Sequence, residues 1–394
     1  MSDPSELAAR LTAELGERLA DADAALAADY PGERPGRQPV HTVYVPADRY
    51  GAGLVPAYGA AALRLLDDNA DAFAELVGDD DLVARVRAKL AGEPVEDLRV
   101  DFEDGFVGRS DADEDAEMVR AATALAESQA AGTAAPFGGI RVKCLEAPTR
   151  ARAIRTLTTY VATLQEAGGS LDGWVVTLPK VTSVDQVEAM VHVAETLDLR
   201  FEIQIETPQS ILGPDGTALV ARMVHAGGAR LTGLHYGTYD YSAFVGIAAA
   251  YQSLEHPAAD HAKLVMQAAA AGTGVRLSDG STNLLPVGST AEVSAAWRNH
   301  YRLVQRSLER GFYQGWDLHP AQLPTRYAAT YAFYRQGLAS ALDRLEAYAG
   351  RDESGTIVDE PATARALARY LLRGLDCGAV EVEETRGLPL TDVL

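Results

Sequence analysis

Two carboxylates organise the chain. The stretch Phe-Glu-Ile-Gln-Ile-Glu-Thr-Pro-Gln-Ser-Ile over 201–211 reads as a buried parallel strand that presents Glu206 and breaks at Pro208 before a helix. A second short strand runs from Leu231 towards Gly237, and Asp240 follows 34 residues after Glu206. That interval matches one strand-helix unit, so neighbouring strand ends can carry both groups. Two oxygen donors, with room left for water and a substrate carboxylate, suit Mg²⁺, which gives up its hydration shell reluctantly. An Asp and a Glu that merely cap helices are the alternative left open by spacing alone.

The elements that must position these groups are eight short β-rich runs, at 42–45, 98–102, 140–145, 174–178, 201–205, 231–234, 274–277 and 316–318. Segments of helical periodicity lie between them, among them 183–197, 258–271 and 291–310. Such alternation requires parallel strands with crossover helices, and eight units favour a closed (β/α)₈ TIM barrel over an open doubly wound sheet. No Gly-x-Gly-x-x-Gly follows the first strand, which counts against a dinucleotide fold.

The expected organisation is an N-terminal helical extension and linker over 1–38, a barrel over 39–325 and a C-terminal helical appendage or lid over 326–394. Leu7, Leu11, Leu15 and Leu19 form a stripe that must dock on the body or on a neighbour. The polar stretch 67–96 predicts an extra helix before the second strand, and helical segments at 327–348 and 361–372 close the chain.

Polar residues recur where the strands end, the place where the loops of such a barrel converge on an active site. The first strand closes with Pro46-Ala-Asp-Arg49, the second with Asp101-Phe-Glu-Asp-Gly105 and the fourth with Leu178-Pro-Lys180. The third holds Arg141 and Lys143; Glu206, Asp240, Asp279 and His319 come after the others. Arg141 lies in an otherwise apolar strand, so it must meet a structural carboxylate or a substrate one, and a bidentate grip on a substrate is preferred. Lys180 reads as a Schiff-base amine or as the partner of Glu103 or Asp104, the second being preferred. Arg49 and Lys180 join Arg141 as cations available to a small anionic metabolite. The acidic run 109–117 reads as a solvated first helical turn, and Cys144 as buried filler.

Composition narrows the function classes. The formal charge of −21 disfavours nucleic acid and anionic membranes as partners. Apolar runs fall short of a membrane span, the first 30 residues lack the features of a secretory signal, and two cysteines are too few for a disulfide framework. A soluble protein of the reducing cytoplasm is expected.

An ordered set of short motifs resembles the HpcH/HpaI aldolase and citrate lyase β-subunit-like proteins. The set comprises Val45-Pro-Ala-Asp-Arg49, Asp101-Phe-Glu-Asp-Gly105, Ile140-Arg-Val-Lys143, Leu178-Pro-Lys-Val181, Ile205-Glu-Thr207, Tyr236-Gly-Thr-Tyr-Asp240, Leu318-His-Pro-Ala-Gln322 and Gly355-Thr-Ile-Val-Asp-Glu-Pro361. The resemblance spans about residues 41–372. It implies a barrel of the phosphoenolpyruvate/pyruvate superfamily, with Glu206 and Asp240 holding Mg²⁺ or Mn²⁺ and Arg141 holding the substrate carboxylate. Glu103 and Asp104 would stand at the metal's waters. Asp359, on a C-terminal lid, would serve as acid or base in the site of an adjacent subunit of a homotrimer or homohexamer.

The activity so implied is a Mg²⁺-dependent carbon–carbon lyase, of the aldolase or citrate/malyl-CoA lyase kind. A thioester hydrolase or condensing synthase on the same site, and a non-catalytic metabolite-binding barrel, are the alternatives. Members that use coenzyme A esters carry a lysine-alanine pair after the first strand; Tyr50–Ala61 contains no lysine, so a coenzyme A thioester substrate stays open.

Overall fold

The computed structural model describes residues 3–350 and 360–394. Eight strands, β1 (His41–Pro46), β2 (Asp97–Asp101), β3 (Phe137–Arg141), β4 (Trp174–Leu178), β5 (Arg200–Ile205), β6 (Leu231–Tyr236), β7 (Arg276–Ser278) and β8 (Gly315–Asp317), pair in parallel in the order β7-β6-β5-β4-β3-β2-β1-β8. Between β7 and β8, Ser278 bridges Gln314, the Asp279 N–H donates to the Gln314 carbonyl (2.8 Å) and the Trp316 N–H to that of Gly280 (3.3 Å). The result is the expected TIM barrel, and every expected run overlaps a strand. The third strand is displaced: expected over 140–145, it begins at Phe137 and stops at Arg141.

The helices are α1 (Pro4–Asp29), α2 (Leu54–Asp68), α3 (Ala70–Val77), α4 (Asp80–Gly92), α5 (Asp111–Ala130), α6 (Arg150–Glu166), α7 (Val184–Thr196), α8 (Pro208–Ile211), α9 (Leu219–Gly227), α10 (Thr238–Phe244), α11 (Pro257–Ala270), α12 (Thr290–Glu309), α13 (Leu323–Gly350) and α14 (Pro361–Asp376). Local chemistry starts many of them. Ser110 with Asp113 and Ser289 with Glu292 form capping boxes, and Pro208, Pro257 and Pro361 stand in first turns where no amide donor is needed. The stretch 67–96 holds α3 and α4, where one extra helix was expected. The far half of α13 packs on α14 around Ala341, Leu345, Ala364, Ala368 and Leu371, a small core apart from the barrel's.

α1 is helical as expected, yet buries no residue, and Leu11 and Leu19 are 44% and 48% exposed. Docking of its leucine stripe on the body is therefore corrected. The segment after it is docked: the Gly32 N–H donates to the Gly272 carbonyl (2.8 Å), and Arg276 Nη1 to the Arg37 carbonyl (2.7 Å). Among the described residues no helix is long and apolar enough to cross a membrane.

Midway along the barrel lies a sealed polar layer. Arg99 Nε and Nη2 donate to Glu202 Oε1 and Oε2 (both 3.0 Å), and Nη1 reaches Asp97, which also accepts from Thr42 Oγ1 (2.8 Å). Trp316 Nε1 donates to His235 Nδ1 (3.0 Å), so the His235 proton sits on Nε2 and points at Glu202 Oε2 (2.9 Å). Every charge in this layer has a partner, as burial demands.

Candidate active site

The residues at the C-terminal rim converge. Glu206 follows β5 directly; Asp240 stands in the first turn of α10, after β6. The Glu206 carboxylate lies over Gly237, where a Cβ would come within 2.4 Å of Glu206 Cβ and 2.6 Å of Oε2. Only glycine leaves that space. Glu206 Oε1 accepts from the Lys180 backbone N–H (2.7 Å). With its amide nitrogen towards Glu206, Gln204 donates to the same oxygen (3.2 Å) and accepts from Arg141 Nη1 (3.3 Å).

Lys180 connects the cluster. Its φ of 51° is left-handed, at a cost of about 1–2 kcal/mol for a residue with a Cβ. That backbone turns the N–H to Glu206 while Nζ reaches Glu103 and Asp104 (Oδ1, 3.0 Å) and stands 3.8 Å from Asp240 Oδ2. Strain of this kind collects where function over-determines geometry. Arg141 donates from Nε and Nη2 to Asp101 Oδ1 (2.7 Å) and Oδ2 (2.5 Å). Its Nη1 edge faces Glu103 (3.5 Å) and Asp104 (3.7 Å), and its guanidinium lies 4.9 Å from the Tyr44 ring centre.

Charge in the cluster is unequal. Among the described residues, the cations that Asp101, Glu103, Asp104, Glu206 and Asp240 face are Arg141 and Lys180. Glu206 is 1% exposed and makes no ion pair among the described residues. Its carboxyl is pushed up to about 8 by burial, with Asp240 and Glu103 adding to the rise against Lys180 and Arg141. Burial also raises Glu103, whereas Asp104 is held low because Arg141, the Glu103 contact and Lys180 outweigh its burial. The Lys180 ammonium is raised: burial opposes the charge, but Glu206, Glu103 and Asp104 overcome it. A neutral amine for Schiff-base chemistry is disfavoured, in keeping with the pairing expected for this lysine. Among the described residues no three His, Cys, Asp or Glu side chains gather as a metal cluster, so the candidate donors are the two carboxylates. Asp104 and Asp240, at 48% and 37% exposed, keep the rim open to solvent.

The family model described as "Domain of unknown function (DUF6986)" matches residues 19–393. The chain belongs to that family. No curated protein matches it in sequence. Among solved structures it is similar to CitE of Mycobacterium tuberculosis in complex with magnesium, acetoacetate and coenzyme A. That match has 18% identity and a TM-score of 0.52, and covers 87% of this chain and 99% of CitE. Haloferax volcanii malate synthase matches at 14% identity over 92% of this chain and 98% of its own, with a TM-score of 0.49. RipC of Yersinia pestis matches at 17% over 77% and 96%, with a TM-score of 0.44. At these identities the CitE likeness establishes the barrel fold.

In this DUF6986 protein, Glu103, Asp104, Arg141, Lys180, Glu206 and Asp240 come together at one rim. Arg49 stands in the exposed turn after β1 and makes no ion pair among the described residues. Asp359 lies outside the described residues. Three strand-end charges are engaged elsewhere. Lys143, beyond the early end of β3, bonds Glu114 (2.6 Å) and the Phe102 carbonyl (2.8 Å). Asp279 bonds Lys263 on α11 (3.0 Å) and Ser307 on α12 (2.6 Å), and His319 accepts the Ala321 N–H (3.1 Å). Glu114 departs from the solvated run expected for 109–117: it is buried, against Lys143 and Arg152. Gln204 is a site residue to which motif reading gave no place, and Asp101 and Gly237 stood in the quoted motifs without a role. Period-two alternation could have found Gln204, which shares the inward face with Glu202.

Proposed function

We propose that the rim binds a divalent cation, Mg²⁺ or Mn²⁺, through Glu206 and Asp240, and that the protein is an enzyme that breaks or makes a carbon–carbon bond beside the carboxylate of a small anionic metabolite. The observation carrying this reading is Glu206, a sealed carboxylate without an ion pair in a cluster where acids outnumber bases. A carboxylate in that state costs several kcal/mol unless it takes up a proton or a cation. Two neighbouring carboxylates with an open, wet side fit a cation that keeps its waters. Bound there, Mg²⁺ would supply Lewis-acid polarisation of a substrate carbonyl oxygen.

The protein's own groups orient the substrate. Asp101 fixes one edge of Arg141, and a substrate carboxylate would meet the Nη1 edge, which it would share with Gln204, Glu103 and Asp104. This differs from the full fork expected of Arg141, because a structural carboxylate occupies two of its prongs. Lys180 holds Glu103 and Asp104 in place and keeps a positive charge near the reacting anion, while Arg49 is available to a longer anionic substrate. Glu103, raised by burial and paired with Lys180, would stand at the metal's waters. The role of Asp359 as a lid acid or base from an adjacent subunit rests on the family resemblance. A homo-oligomer is supported by the open leucine stripe of α1.

Calorimetric titration of EDTA-treated protein with Mg²⁺ and Mn²⁺ tests the metal. Saturable binding that disappears in Glu206→Gln is expected; absence of binding in the unaltered protein would favour the non-catalytic reading. The metal-loaded protein should then be screened against free 2-oxo and 2-hydroxy acids and coenzyme A thioesters. Carbon–carbon cleavage or condensation is expected, whereas free thiol without either identifies a hydrolase.

A further inference from the structure

At the opposite end of the barrel, where the strands begin, a cavity of about 450 Å³ opens among the first residues of the strands and the docked segment after α1. Its volume is that of an ordinary small-ligand site, roughly 300–1,000 Å³. Its floor is the sealed layer of Arg99, Asp97, Glu202 and His235, and Phe137, Leu171 and Trp174 give it an apolar wall.

The charges lining it do not cancel. Asp97 and Glu202 are taken by Arg99, and Asp198 by Arg230 (2.8 Å). Asp172 then remains against Arg34, Arg200 and Arg276, none of which makes an ion pair among the described residues. Arg34 donates to the Leu231 carbonyl (3.2 Å), and Arg276 to the carbonyls of Arg37 (2.7 Å) and Gly36 (2.6 Å). The Arg200 side chain has no hydrogen bond among the described residues. The guanidinium groups feel one another: Arg34 is lowered by burial and then by Arg200, and Arg276 by burial and then by Arg34, although Asp376 and Glu33 pull the other way on Arg276. These cations come from the segment after α1, the start of β5 and the start of β7, so the fold gathers like charges in a chain whose net charge is −21. Such an excess beside a cavity is relieved by an anion entering it.

We propose that this mouth of the barrel is a second ligand site, which binds the phosphate group of a small phosphorylated metabolite on Arg34, Arg200 and Arg276. Five arginines against four carboxylates line the cavity, and the surplus sits on Arg34, Arg200 and Arg276, whose three guanidinium groups offer more donors than a lone carboxylate can use and suit a phosphate monoester, which carries about −1.5 to −2 at neutral pH. Guanidinium forks suit its oxygens. The apolar wall of Phe137, Leu171 and Trp174 would face the body of the metabolite. The reacting groups of the rim lie at the other ends of the same strands, so the two ligands do not compete for space.

The test is calorimetric titration of the full chain with inorganic phosphate, and with acetate at matched ionic strength. Saturable phosphate binding is expected, with acetate at least about tenfold weaker. Arg200→Glu should weaken phosphate by at least about tenfold, and Arg34→Gln should weaken it too. Arg18→Glu, the same charge change on exposed α1, should leave it unaltered. No saturable phosphate binding overturns the proposal, as does equal affinity in the Arg200→Glu and unaltered proteins, or acetate binding as tight as phosphate. A circular dichroism spectrum and melting curve matching the unaltered protein would show that Arg200→Glu is folded.

Discussion

The two mouths of the barrel carry opposite surpluses of charge. At the C-terminal rim five carboxylates face Arg141 and Lys180; at the N-terminal mouth three arginines face Asp172. Between them, the Arg99 layer is satisfied by its own contacts: the guanidinium meets Asp97 and Glu202, and His235 takes the remaining Glu202 contact. The difference follows access. The layer is buried and its groups satisfy one another within the fold, whereas a mouth can leave charge to be met by something that diffuses in.

Breaking the sealed layer should have the largest effect. Arg99→Leu leaves Asp97 and Glu202 buried without their cation, and a loss of about 3–5 kcal/mol is expected by denaturant unfolding. Stability should also respond to acid. Burial works to raise the Glu202 carboxyl, but Arg99 and His235 outweigh it and hold the group well below its usual range. Its stabilising contribution is therefore complete above the unfolded pKa of about 4.3 and is lost as pH falls towards the folded value. In melting curves between about pH 5 and 2, Glu202→Gln should flatten that acid dependence; an unchanged slope would place the dependence elsewhere.

At the rim the effect should appear in binding. Glu206→Gln keeps the shape of a buried carboxyl that has no ion pair among the described residues, so stability should hold or rise, while Mg²⁺ affinity falls by about a hundredfold or more, some 2.7 kcal/mol. Equal affinity in the variant would remove Glu206 from the metal site. Arg141→Lys keeps the charge but loses the two-pronged contact with Asp101, so activity should fall by at least about tenfold, or about 1.4 kcal/mol. A smaller loss would mean that the position needs only a charge. At the other mouth, Arg200→Gln should shift stability by no more than about 0.5 kcal/mol, because the side chain has no partner to lose. A large destabilisation there would mean that the surplus is structural.

The sequence alone carried the architecture: eight strand-like runs separated by helical periods admit few topologies, and each run overlaps a strand, although β3 starts three residues before its own. It also located the rim, because Glu206 and Asp240 fall at successive strand ends and the loops at those ends must converge. It could not say which charge meets which. Arg141 is held by Asp101 because the parallel register of β2 and β3 sets the two residues opposite each other, and register depends on the whole sheet. Lys143 turned away because β3 ended early, and Asp279 was drawn out to Lys263 and Ser307 on the covering helices. The arginine mouth was illegible for the same reason: Arg34, Arg200 and Arg276 are far apart along the chain, and only closure of the barrel with the docking of the segment after α1 brings them to one cavity. Periodicity is a local property of a sequence and survives in one dimension; charge balance is a sum over neighbours in space, and only the closed barrel defines who those neighbours are.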